Sequence, residues 1–428
     1  MPTLVAPYVD EMIQMRRRLH RYPEIAWTEF VTTSIIVERV RALGFKTVLG
    51  KKLFNEEFVL GRDPQVAKEA EDRARAQGVS EEILKELEGY TGCLAVWETG
   101  RPGPVTALRF DIDCIPVQEN QTDANEAHRD GYESTRDGLM HACGHDGHAS
   151  MGMTVAHWVH DHADELCGTI KIIFQPAEEG TKGACGIAHS NNLDDVDYLI
   201  GGHVNIANKV HDVSIVRKGF LATTKMNASF TGLAAHAGGS PELGRNALMA
   251  ACSAAMQIMG IPRHGQGATS VNVGVIHAGE GRNVVPAHAG MEIEVRGSNA
   301  EINSYMQERA EAMVRGSAMS YGVDYRLDVV GKAEDVVSDE ELVQAIVDAA
   351  KAVDTVEDIH IVESCGGSED HSLLMHAVQK HGGKAVFFGY GGNGTVAHSS
   401  LFQIQDTETL PIGLEIFVRL LTKYNVKA

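Results

Sequence analysis

The tightest constraint on this chain is a succession of short, nearly continuous apolar runs separated by stretches with helical periodicity. Cys93-Leu94-Ala95-Val96-Trp97, Val105-Thr106-Ala107-Leu108-Arg109-Phe110 and Ile170-Lys171-Ile172-Ile173-Phe174 lack the strict alternation of a half-exposed strand. Such runs suit strands covered on both faces. A helical stretch lies between the last two. Upstream, Tyr8 to His20 carries Val9, Met12, Ile13, Met15 and Leu19 at helical spacing, and Thr32 to Leu43 repeats the pattern. Strands alternating with helices predict an α/β fold with a mostly parallel central sheet flanked by helices. In open sheets of this kind ligands collect beyond the carboxyl ends of strands. The unusual residues of this sequence fall there.

The length of 428 residues exceeds one ordinary core and predicts two domains. From about Lys218 to Val330 the pattern becomes two-faced strands and long helices in the order β-α-β-β-α-β, the ferredoxin-like split. We therefore expect a catalytic domain over 1–217 and 331–428, with an inserted α+β module over 218–330. A polar segment over 55–90 contains two helix starts, Asp63-Pro64 and Ser80-Glu81-Glu82. It reads as a surface helical hairpin, or as a lid or specificity element.

With 38 Lys+Arg against 58 Asp+Glu, the net charge is −20. An acidic surface repels phosphate backbones and anionic lipid, which argues against nucleic-acid and membrane partners. No apolar run approaches the roughly 18–20 residues of a membrane helix, and Met1-Pro2-Thr3-Leu4-Val5-Ala6-Pro7 lacks the basic start of a signal peptide. Seven cysteines form no CxxC, and their odd number leaves at least one unpaired. A cytoplasmic protein without structural disulfides is expected.

Four motifs carry chemistry. In His141-Ala142-Cys143-Gly144-His145-Asp146-Gly147-His148, Cys143 and His145 sit two apart in a glycine-containing turn and can face one ion. A satisfied buried cluster is the bland alternative. Gln175-Pro176-Ala177-Glu178-Glu179-Gly180 follows the strand ending at Phe174. Adjacent carboxylates in apolar surroundings repel each other and lose hydration, a conflict that a cation resolves. One carboxylate can then bind the metal while its neighbour takes a proton from water; a solvated helix start is the other reading. His203, after Gly201-Gly202, and His398, in Ala397-His398-Ser399, each end a strand-like or glycine-rich segment. Alone, either would be structural. Together, Cys143, His145, Glu179, His203 and His398 offer the mixed sulfur, nitrogen and oxygen donors of a first-row divalent ion. Their separations are too long for a zinc finger, so such a site would be assembled by the fold. Asp113, in Asp111-Ile112-Asp113, suits the partner that a ligating histidine needs on its other nitrogen. Glu369-Asp370 reads as a helix cap, or as a contact behind the ligands. There is no GxSxG elbow and no phosphate loop.

These motifs, together with Arg16-Arg17-x-Leu19-His20-x-x-Pro23-Glu24 and Ala235-His236-Ala237, resemble the dinuclear, metallopeptidase-related amidohydrolases. That group includes p-aminobenzoyl-glutamate hydrolase and the indole-acetyl-amino-acid hydrolases. The segment over 55–90, the Thr99–Val105 turn, and Val271–Val275 with Gly281–Pro286 are most similar to one branch of it, the p-aminobenzoyl-glutamate hydrolases. The resemblance covers nearly the whole chain.

The resemblance implies one or two divalent metal ions, manganese in the first place and zinc as the other possibility, with the Cys143 thiolate bridging two of them. It implies that Glu178 is the general base and that the inserted module serves dimerisation and as a lid. His236 would reach the partner subunit's site to stabilise the oxyanion, and Asn272 and Arg296 would hold the substrate carboxylate. The implied enzyme is a metal-dependent amidohydrolase acting on a small aromatic carboxylate substrate, an N-aroyl or N-acyl amino acid. It would be a homodimer, with a second subunit type as a further possibility. The context of His203 and of Tyr390-Gly391-Gly392-Asn393 departs from the p-aminobenzoyl-glutamate hydrolase pattern. That leaves open hydrolytic deamination of an aromatic amine, as in 5-nitroanthranilate aminohydrolase.

Overall fold

The computed structural model describes residues 4–207, 209–363 and 366–427. The first segment contains helices α1 (Ala6–His20) and α2 (Phe30–Ala42), strand β1 (Lys46–Val48), helices α3 (Pro64–Ala76) and α4 (Glu81–Leu87), and strands β2 (Cys93–Glu98) and β3 (Val105–Asp111). Next come α5 (Glu126–Arg129), α6 (His145–Asp161), β4 (Thr169–Gln175), α7 (Gly183–Ala188), β5 (Tyr198–Val204) and β6 (Asp212–Val216). A second group follows: β7 (Ala222–Thr231), α8 (Ala247–Met259), β8 (Thr269–Ala278), β9 (His288–Gly297), α9 (Ala300–Tyr321) and β10 (Asp324–Ala333). The chain closes with α10 (Glu340–Lys351), β11 (Asp358–Val362), α11 (His371–Lys380), β12 (Lys384–Tyr390) and α12 (Asp406–Asn425).

The chain divides into two compact units: Phe220–Asp335 with Gly366–Glu369, and the remainder. The larger unit holds an eight-stranded sheet in the order β1-β2-β4-β3-β5-β12-β6-β11. Its centre is parallel, β4 and β5 flanking β3 and β12 following β5. Antiparallel pairing enters at β1–β2, β2–β4 and β12–β6. The runs read as doubly covered strands are buried along most of their length. Helix α6 is buried on nearly every face, and Gly152 makes this possible, because a Cβ there would lie 2.6 Å from the Phe174 ring and 2.7 Å from Phe110.

The 55–90 segment forms the two helices its caps predict: Asp63 accepts from the amides of Gln65 and Val66, and Ser80 from Ile83. Their apolar faces, including Ala67, Ala70, Ala74, Ile83 and Leu87, are buried in the main core. In the smaller unit, a sheet in the order β10-β7-β9-β8, antiparallel throughout, carries α8 and α9. This is the ferredoxin-like arrangement. Met226, Phe230, Ile293 and Val295 pack with both helices around one core.

Among the described residues no helix is long and apolar enough to cross a membrane. Six cysteines are free thiols; the seventh, Cys365, lies outside the described residues.

Candidate metal centre

The five expected ligands come from four points of the larger unit and meet at the carboxyl edge of its parallel strands. Cys143 and His145 enter α6, Glu179 follows β4, His203 is the penultimate residue of β5, and His398 lies in the loop after β12. Cys143, His145 and Glu179 each place a ligand atom within 4.8 Å of the others. Cys143 Sγ is 3.5 Å from His203 Nε2, and His398 Nε2 is 3.2 Å from Glu179 Oε1.

Local backbone features produce this convergence. Gly144, with φ of 90°, caps α6, and a Cβ there would come within 2.5 Å of Val204 Cγ1. The turn therefore requires glycine. Ala177, Asn205 and His398 also have positive φ, at 55°, 64° and 65°. Each costs roughly 1–3 kcal/mol, a strain that persists only where surrounding structure over-determines it. At Ala177 that support is visible: its amide donates to Glu29 Oε1 at 2.8 Å.

Asp113 accepts the amides of Glu178 and Glu179, both at 3.0 Å, and its Oδ1 lies 3.3 Å from His145 Nδ1. His203 Nδ1 donates to its neighbour's carbonyl, Val204 O, at 2.6 Å. Its Nε2 therefore carries the lone pair that faces Cys143. Glu178 places Oε2 3.9 Å from His145 Nε2, beyond hydrogen-bond distance but beside the cluster.

The electrostatics show a site in conflict with itself. Burial pushes the Cys143 thiol up to about 12, against the pull of His145. Burial opposes charge on His145, yet Asp111 and the neighbouring sulfur outweigh it and hold its pKa well above the usual imidazole value. His203 is driven well below that value, chiefly by burial. His145 Nε2 is buried with no hydrogen-bond partner among the described residues. A divalent cation would turn the thiol into a thiolate and engage that nitrogen, and the sulfur, nitrogen and oxygen donor set suits one. The residues present fit a metal.

His148 has a place that its motif did not reveal. It clusters with Asp111, His145 and His203 at ligand spacing, but Nδ1 is held by Asp111 Oδ1 at 2.5 Å and Nε2 accepts the Val204 amide at 3.0 Å. With both nitrogens engaged, it braces the end of β5. Arg109, fully buried, links Asp111 (2.6 Å), Gln175 (2.8 Å) and Asp370 (3.2 Å). Of the two readings of Asp370, the helix cap is not made: the residue precedes α11 with no side-chain cap. Its carboxylate instead takes the Gln175 amide at 2.8 Å and the Ala184 N–H at 3.1 Å and faces the Arg109 guanidinium, which would be costly to leave buried without a carboxylate. No local spacing signals these long-range pairs.

The remaining candidates lie in the smaller unit. His236 is exposed, and its Nδ1 accepts the amides of Gly238 and Gly239 at 3.2 and 2.8 Å. Asn272 on β8 stands opposite Glu294 on β9, with Arg296 two residues further along the same face. Arg296 donates to Glu294 at 3.1 Å.

The model of peptidase family M20/M25/M40 matches residues 107–423. A homolog of a p-aminobenzoyl-glutamate hydrolase subunit, from Haemophilus influenzae, is 41% identical over 416 residues, 97% of this chain and 98% of that protein. The indole-3-acetyl-aspartic acid hydrolase of Enterobacter agglomerans is 40% identical over 410 residues, covering 95% and 94%. Among solved structures, the aminobenzoyl-glutamate utilization protein of Klebsiella pneumoniae superimposes with a TM-score of 0.83 at 35% identity, over 98% of this chain and 97% of that one.

Proposed function

The chain belongs to peptidase family M20/M25/M40, and from that membership and the grouping of Cys143, His145 and Glu179, with His203 beside the first and His398 beside the last, we propose that it hydrolyses the amide bond of an N-aroyl or N-acyl amino acid such as p-aminobenzoyl-glutamate. The observation that carries the reading is the cluster itself, with Glu178 set beside it 3.9 Å from His145. The names of the similar proteins point to amide cleavage and lend no support to aromatic deamination.

Cys143, His145, Glu179, His203 and His398 would hold one or two divalent ions, manganese first and zinc second. When bound, such an ion lowers the pKa of water toward neutrality and polarises a carbonyl. Glu178 takes the proton from the attacking water and returns it to the departing nitrogen. Asp113 holds the Glu178–Glu179 backbone and fixes the His145 ring through Nδ1. In the same proposal His236 stabilises the developing negative charge in the site of a second copy. Asn272 and Arg296 bind the substrate carboxylate, a task suited to a guanidinium fork in so acidic a protein. A cytoplasmic homodimer is the proposed working form, with the ferredoxin-like unit as its dimerisation and lid element.

Product analysis tests this directly. Metal-replete protein given p-aminobenzoyl-glutamate should release p-aminobenzoate and glutamate in equal amounts. Ammonia as the product, or no turnover across a panel of N-aroyl amino acids, overturns it.

A further inference from the structure

Helix α1 buries two basic side chains that the proposed reaction does not use. Arg16 and His20 are each only 2% exposed. Both converge on Asp146, the residue after His145: Arg16 Nε lies 2.9 Å and His20 Nδ1 2.7 Å from its Oδ2. On the other side of the ring, His20 Nε2 is 3.0 Å from Glu119 Oε1. A neutral imidazole carries one N–H, whereas both nitrogens here face carboxylate oxygens, so His20 satisfies both only as an imidazolium.

The network extends further. Arg16 reaches Asp406, the first residue of α12, at 3.3 Å, and Arg17 reaches it at 3.0 Å. The Tyr132 ring lies against both guanidinium groups, at 5.1 and 4.7 Å. Glu119 is held in turn by Asn125 at 3.0 Å and by the Ser134 amide at 2.5 Å. Three carboxylates and three cations thus lace α1 to the first turns of α6 and α12.

Buried ion networks seldom stabilise more than apolar packing of the same volume would, and their best-attested use is to fix one geometry. The geometry fixed here is that of the turn carrying Cys143 and His145. Asp146 spends Oδ1 on the Gly147 amide at 3.0 Å and Oδ2 on the two cations, so the first turn of α6 is tied to α1.

We propose that Arg16 and His20 are positioning residues for the metal centre, setting through Asp146 the separation and orientation of Cys143 and His145. This inference rests on the metal reading above.

Full-length protein loaded with Co(II) tests it, because the visible d–d bands report ligand geometry and the sulfur-to-cobalt band reports Cys143. The variants are H20Q, D146N, the double variant, and V343A as a control that thins the core on α10, whose polar side chains pair with Arg217 and Lys384 and not with the network. H20Q should weaken Co(II) binding by roughly 10–100-fold, as loss of an outer partner does, and should shift both bands. The double variant should bind within roughly threefold of D146N, since the two residues act through one contact. V343A should leave the spectrum unchanged.

Wild-type affinity and bands in H20Q overturn the inference, as does a V343A shift as large as that of H20Q. If H20Q does not fold, E119Q removes the carboxylate charge that faces the outer nitrogen of His20, and wild-type Co(II) affinity and bands in that variant overturn the inference equally. Wild-type protein that takes up no Co(II) overturns the metal reading and this inference with it. Wild-type uptake with an unchanged H20Q overturns this inference alone.

Discussion

Replacing Glu178 by glutamine separates its two possible roles. The side chain is 11% exposed and its Oε2 stands 3.9 Å from His145 Nε2, and an isosteric amide fits the same space. The backbone amide of residue 178 keeps its bond to Asp113, so the turn that presents Glu179 is retained. We therefore expect a thermal midpoint within about 1 °C of wild type, the shift that roughly 1 kcal/mol produces in a chain of this size, and an unchanged metal content. Turnover is another matter, because an amide cannot accept the proton of water or return one to the leaving nitrogen. A positioned general base contributes about 10²–10⁴-fold, or roughly 2.7–5.4 kcal/mol of barrier at 1.36 kcal/mol per decade. The assay is release of p-aminobenzoate from p-aminobenzoyl-glutamate, with metal measured in the same sample. A fully metallated E178Q within tenfold of the wild-type kcat would falsify the general-base role. A variant that loses metal along with activity would make Glu178 a ligand and refute the division of labour between the two glutamates.

Three further outcomes follow from the geometry. Glu24 accepts the amides of Val31 and Thr32 at 3.2 and 2.8 Å, and burial pushes its carboxyl from 4.5 up to about 7. Between those values the folded chain holds a proton that the unfolded chain has released, so this group costs stability progressively as pH rises from about 4.5 to 7, by up to about 3 kcal/mol. E24Q, which does not titrate, starts with the fixed cost of an NH₂ group facing one of those amides but should gain on wild type across that window in chemical denaturation; a gap that stays constant from pH 4.5 to 8 refutes this. Gly144→Ala forces a left-handed alanine whose Cβ meets Val204 Cγ1 at 2.5 Å, and should lose roughly 1–3 kcal/mol together with Co(II) affinity; wild-type melting and affinity count against the turn. Asp113→Asn leaves one buried amide of the pair at 178 and 179 facing an NH₂ group instead of an oxygen, a loss of about 1–3 kcal/mol. Its metal affinity should fall by roughly 10–100-fold through His145, and unchanged affinity by competition titration would remove Asp113 from that duty.

Much of this could be read from the sequence because the informative contacts are local or terminate strands. Asp63-Pro64 and Ser80 announce their helices by hydrogen bonds that span two or three residues. Glu178-Glu179 advertises a cation because two adjacent carboxylates leaving an apolar strand need one. What stayed hidden depends on partners far apart in the chain. Asp370 looks like a helix cap, yet its partner Arg109 stands 261 positions away. His148 shares its motif with two proposed ligands, and only its bonds to Asp111 and Val204 show that both nitrogens are already engaged. The burial of Arg16 and His20 is hidden in the same way, because nothing nearby in sequence shows that Asp146 and Glu119 will enclose them.

Strand order explains why the donors meet where they do, and periodicity cannot supply strand order. β3 is central, with β4 paired on one side and β5 on the other, both parallel to it. The connection from β3 through α6 to β4 therefore leaves in one direction, and the chain next returns across β3 to reach β5. At such a reversal the segments leaving adjacent strands splay apart and open a crevice beyond their carboxyl ends. Asp113 leaves β3, Glu178 and Glu179 leave β4, His203 closes β5, and α6 begins with Cys143 and His145 at its entry. Moving any one of these strands to a sheet edge would keep every motif in the sequence and dissolve the cluster, so the chemistry depends on topology as much as on residue type.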